Sequence, residues 1–127
     1  MDIRKVKLLD TYDFEPSFPD GEKTGVIFTL RSPSCKQAEA VRRKWDGITS
    51  RAKKGILSYD QKKELNNDIL TACVVGWTGL EDGKTPIEFS EEKLSELIEN
   101  VELKFLFDKI AGELLEENNF LTHSGKS

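Results

Sequence analysis

One histidine, two cysteines and one methionine in 127 residues leave little material for chemistry. His123 is the only imidazole; it stands near the end of the sequence, and the pattern offers no cysteine or serine as its partner. Cys35 and Cys73 are too few for a disulfide framework and have no metal-ligand spacing, so reduced thiols in a cytoplasm are expected. There is no Gly-x-Gly-x-x-Gly and no Walker loop, and Gly76, Gly79 and Gly83 have the wrong spacing to cradle phosphates. No apolar run approaches the ~18 residues of a membrane span. The opening Met1-Asp2-Ile3-Arg4-Lys5 lacks the apolar core of a signal peptide. The carboxylates of the C-terminal third recur at helical spacing on an expected solvent face, which does not pair two of them for acid–base work. No catalytic residue, cofactor or metal is expected, and the protein is expected not to be an enzyme.

What is present is a foldable, polar composition. Hydrophobic residues make up 37% and charged residues 33%, which suits one globular domain rather than a disordered chain. The net charge of −4 conceals a division. Lys36 to Lys63 contains nine basic and three acidic side chains, a balance of +6; Glu81 to Ser127 contains five basic and twelve acidic ones, a balance of −7. The two blocks should attract each other, within a molecule or between molecules. Self-association into oligomers is therefore expected.

The periodicities predict a mainly α fold: about four helices with a small N-terminal β-hairpin or strand pair. Residues 1–120 form the domain, and 121–127 are expected to be a flexible tail. Val26–Arg31, rich in β-branched and aromatic residues, reads as a strand that Lys5–Leu8 could pair with. Ser32-Pro33 reads as a helix start, and Ala38, Val41, Trp45, Ile48 and Ala52 then make one apolar stripe on a basic helix that ends near Gly55. Ser58 and Gln61 form a capping box for a helix carrying Leu65, Ile69, Cys73 and Trp77 at steps of four. Ser90 caps a helix with Glu91 and Glu92 in its first turn, on which Leu94, Leu97, Ile98 and Val101 face inward. A last helix carries Leu103, Leu106, Phe107, Ile110 and Leu114, with Phe105 and Leu115 off that stripe.

The centre of the chain reads Thr71-Ala72-Cys73-Val74-Val75-Gly76-Trp77-Thr78-Gly79, then an Asp82-Gly83 turn, then Pro86-Ile87-Glu88-Phe89-Ser90. With Thr24-Gly25 before a strand, Ser32-Pro33 before a basic helix, and the Asn119-Phe120 ending, this pattern resembles the small tail assembly chaperones of long-tailed, siphovirus-type bacteriophages. The resemblance spans roughly Thr24 to Phe120. The middle of the last helix departs from it in being more acidic. The resemblance implies a non-enzymatic protein that binds the tape measure protein, a long helical chain, and keeps it soluble until tail tube subunits polymerise around it. It also implies a longer form made by ribosomal frameshifting near Gly125-Lys126, a link through that form to the major tail protein, and work in the host cytoplasm without a place in the mature virion.

Two other readings are open at this point. The basic helix Val41–Lys54, with Arg42, Arg43 and Lys44, could serve a small nucleic-acid-binding regulator; the placement of Trp45 on the apolar stripe and the acidic pI near 5.1 count against it. A minor structural tail or head–tail joining component is the other. For a client-binding surface the sequence nominates Val74, Trp77, Leu80 and Phe105, since the end of the Ser58–Trp77 helix is apolar nearly all round and Phe105 lies off its stripe.

Overall fold

The computed structural model describes residues 4, 6–8, 10–115 and 121–123. The chain runs β1 (Val6–Leu8), β2 (Thr11–Phe14), β3 (Ile27–Arg31), α1 (Lys36–Arg51), α2 (Tyr59–Cys73), β4 (Val74–Thr78), β5 (Glu81–Asp82), β6 (Thr85–Pro86), α3 (Glu91–Ile98), α4 (Lys104–Leu115) and β7 (Leu121–His123). Short 3₁₀ turns follow α1 at Lys53–Gly55 and precede α4 at Val101–Leu103.

The expectation of a mainly α fold with one small β pair is overturned. Among the described residues, four helices pack with a three-stranded antiparallel sheet of order β2-β3-β4, a separate β1-β7 pair and the short β5-β6 ladder. The central segment makes the difference. The sequence continues the helix to Trp77, but α2 stops at Cys73 and the next five residues are a strand. The amide of Val74 donates the last helical bond, to Leu70 O, while its own backbone is already extended (φ −84°, ψ 113°). Val74 and Val75 are β-branched, which favours a pleated surface. Pairing with β3 then decides the conformation, with Phe28 opposite Trp77 and Thr29 opposite Gly76. Leu30 pairs with Val74, so Val75 is the extra residue of a bulge.

The N-terminal pairing is also corrected. β3 takes β2 as its partner, in register from Thr11 opposite Arg31 to Phe14 opposite Phe28. β1 instead pairs with β7, Val6 opposite His123 and Leu8 opposite Leu121, so part of the expected tail is a strand. Lys5 of the expected first strand, the Asn119-Phe120 ending and the expected frameshift region at Gly125-Lys126 lie outside the described residues.

The helix caps follow their sequence signals, with one shift. Ser58 and Gln61 exchange both bonds of the capping box, and Ser90 Oγ accepts from the Lys93 amide. Helix α1 begins three residues later than Ser32-Pro33 suggests. Those residues form a turn, and Cys35 caps the helix, its Sγ accepting from the Ala38 amide at 3.4 Å.

The core sits between the sheet and α2, α3 and α4. Phe28 is its centre, fully buried, with the rings of Trp77 and Phe107 standing edge-on at 6.2 and 6.1 Å. Val26, Leu30, Ala38, Leu70, Cys73, Val74, Leu94, Leu106, Ile110 and Leu114 surround it. Helix α1 is fastened to α2 at Trp45, whose indole donates to Asp68 Oδ2 at 2.8 Å. No helix among the described residues is long and apolar enough to cross a membrane.

Candidate functional site: an apolar groove between two helices

The four residues nominated from sequence do not share one open surface. Val74 is 1% and Trp77 7% exposed; both belong to the core. The indole of Trp77 donates to Ile87 O at 2.8 Å, and its ring meets Phe89 edge-on at 4.9 Å. Leu80 is half-buried against the same core, and the Leu80 carbonyl accepts from the Ile87 amide. Phe105 is half-buried on another side, stacked on Phe18 at 5.8 Å.

These contacts give the central motif a structural meaning. Trp77 binds the Ile87–Phe89 segment, so the Val-Val-Gly-Trp and Pro-x-x-Phe-Ser pieces are two halves of one clasp. Gly79, at φ +85°, packs its Cα against the Gly25 carbonyl so closely that a Cβ there would overlap it. The Thr24-Gly25 and Trp77-Thr78-Gly79 pieces are thus held backbone to backbone. Cys73, in the same core, has its thiol pushed up to about 12, first by burial and then by the neighbouring Cys35. That thiol is a packed side chain, inert at neutral pH.

The surface that the structure leaves open lies elsewhere. Helices α2 and α4 line two adjoining clefts. One, of about 450 Å³, is walled by Leu65 and Ile69 of α2, Ala111, Leu114 and Leu115 of α4, and Pro33 before α1. The other, of about 340 Å³, lies between Tyr59 of α2 and Ile98, Val101 and Phe107. Asn66 and Leu70 line both, so the clefts adjoin; Lys104, Phe107 and Asp108 in one and Ala111, Leu114 and Leu115 in the other carry them along α4.

Six large apolar side chains are well exposed among the described residues, and three of them line this groove: Tyr59 at 79%, Val101 at 83% and Leu115 at 83%. Single exposed apolar residues are ordinary, but several along one concave track make it the candidate surface. The α4 wall runs twelve residues, Lys104 to Leu115. At 1.5 Å per residue that is ~18 Å, room for about three turns of a docked helix.

The sequence reading turns Val101 inward, on the stripe of α3. The structure ends α3 at Ile98, and a 3₁₀ turn capped by Asn100 Oδ1 swings Val101 out. Leu115 is the one groove residue with a signal in the sequence, since it lies off the α4 stripe. Tyr59 has none, because a first-turn tyrosine beside a cap can face either way.

Charge on the rim is uneven. Lys63 pairs with Glu99 at 3.8 Å, and Glu99 also accepts from Asn67; Lys104 pairs with Asp108 at 2.8 Å. At the other end Arg42 reaches Glu39 at only 4.0 Å, and Lys62 forms no ion pair with a described residue. Among the described residues no cluster of histidine, cysteine and carboxylates could hold a metal ion. The chain matches no family model, no curated protein and no solved structure.

Proposed function

We propose that this protein is an assembly chaperone of the long-tailed phage type, which holds an amphipathic helix of the tape measure protein in the α2–α4 groove. The observation that carries the reading is the groove itself, with Tyr59, Val101 and Leu115 exposed along it. Helix-in-groove recognition seats apolar anchors at i, i+3 or i+4, and i+7, which a track of three turns accommodates. The resemblance at Thr24-Gly25, Val74–Gly79 and Pro86–Ser90 supports the same reading from the sequence.

On this reading the protein performs no chemistry. It covers apolar stripes of a long client until the tail tube replaces it, acting in the host cytoplasm and leaving before the particle is finished. A longer frameshifted form would bring the client to the major tail protein.

The test is co-expression with a tape measure chain of a long-tailed phage, taken from the same genome as this gene. Wild-type protein should keep that chain soluble. Tyr59→Glu combined with Leu115→Glu should lose this ability with little change in melting, since both side chains are exposed and surface changes stay within roughly 0.5 kcal/mol each. A double variant that still solubilises the client, or a wild-type protein that does not, overturns the proposal. Salt-dependent binding to DNA would favour a regulator using α1 instead, and recovery in purified virions would favour a structural tail component.

A further inference from the structure

We propose that the groove selects a helix whose apolar stripe is flanked by acidic side chains, with that flank lying along Arg42 and Lys62. The inference rests on the reading of the groove as a client site and adds the chemistry of the client.

Among the described residues six charged ones line the two clefts: Arg42, Lys62, Lys63, Glu99, Lys104 and Asp108. Both carboxylates are engaged by groove lysines, Glu99 by Lys63 and Asp108 by Lys104, and all four lie at the Val101 end. That end is therefore neutral in sum. The other end, where Leu65, Ile69, Leu114 and Leu115 make the larger and more apolar cleft, has two cations and no carboxylate among its described lining residues. Arg42 is held only at 4.0 Å by Glu39 of its own helix, and Lys62 is unpaired among the described residues.

A helix laid in the groove thus meets apolar walls on its buried face and positive charge along one margin. Acidic residues there meet two cations that the described residues engage only through Glu39, and basic residues meet like charge. Rim charges of this kind set partner choice and orientation more than total affinity. Two exposed pairs contribute roughly 0.2–1 kcal/mol each, which corresponds to about a fivefold preference. The preference should fall with ionic strength, because the rim is open to solvent.

The probes are two labelled peptides of about 14 residues, long enough to span the α4 wall, stapled into helices. They share a leucine stripe and differ only in glutamate or lysine beside it. Anisotropy titrations against the full chain should show the glutamate peptide binding about fivefold tighter or more at low salt. The gap should close at high salt, and Lys62→Glu, which sets a carboxylate beside Arg42, should abolish the preference. Lys109→Glu, an exposed α4 change outside the groove, should alter neither. Equal binding of the two peptides, or tighter binding of the lysine peptide, overturns the acidic preference while leaving the groove in place. Failure of both peptides to bind, with no effect of Leu115→Glu, removes the groove reading and the inference together.

Discussion

At Gly79 the backbone turns at φ +85° with its Cα against the Gly25 carbonyl. A side chain there meets two separate obstacles, an unfavourable backbone conformation and a fixed backbone neighbour. Gly83 provides the comparison, since it has φ +65° and open space around its Cα. Gly79→Ala is expected to destabilise by ~2–3 kcal/mol and Gly83→Ala by only ~1 kcal/mol, read from urea denaturation midpoints. Equal losses at the two positions would mean that the contact with Gly25 is not tight. Trp77 poses the second residue-scale question. It is a core side chain that also holds the Ile87 carbonyl. Trp77→Ala should therefore lower stability by ~3–5 kcal/mol, seen as a large drop in the thermal midpoint. Any loss of client solubility should then track the unfolded fraction. A variant that melts normally yet releases the client would return Trp77 to the binding surface.

Elements are fixed here by contacts that span the chain, and this set what the sequence could reveal. The stripe of Ala38 and Trp45 on α1, the Ser58–Gln61 box, the Ser90 cap and the buried face of α4 were legible, because each depends on spacings within a few residues. The switch from α2 to β4 was not. Leu65, Ile69, Cys73 and Trp77 keep a helical interval of four straight across it, and only pairing with β3, more than forty residues earlier in sequence, breaks the pattern. The groove was hidden for a similar reason: local periodicity shows which side chains face a core, not where two helices leave a cleft between them. The α1–α2 contact offers an element-scale test. Asp68 accepts the Trp45 indole at 2.8 Å and the Lys44 ammonium at 3.2 Å. Asp68→Ala leaves a buried indole N–H unpaired and should destabilise by ~1–3 kcal/mol. Asp68→Asn keeps an acceptor and should lose less, while Lys44→Ala, on an exposed pair, should change stability by under ~1 kcal/mol. If all three substitutions are equivalent in chemical denaturation, the indole bond does not tie α1 to α2.

The whole molecule keeps the charge division that its sequence shows, and folding neutralises little of it. Among the described residues a single ion pair, Lys63 with Glu99, joins the basic block to the acidic one. The remaining pairs link near neighbours on one helix, or Lys44 to Asp68 between them. Lys36, Arg51, Lys53 and Lys54 stay exposed around α1 and its end, as do Glu81, Asp82, Glu88, Glu91 and Glu92 from β5 to the start of α3. The attraction left over is available between molecules. A contact between unlike faces is heterologous, so it adds copies head to tail and need not close. Its charges are exposed, and salt screens them beyond ~8 Å at physiological strength. Sedimentation velocity at low salt should show oligomers that grow with concentration and dissociate as salt rises. Reversing the charge of Lys53 and Lys54 together should abolish them. A strict monomer at high concentration and low salt would show that the two charge blocks act only within one chain.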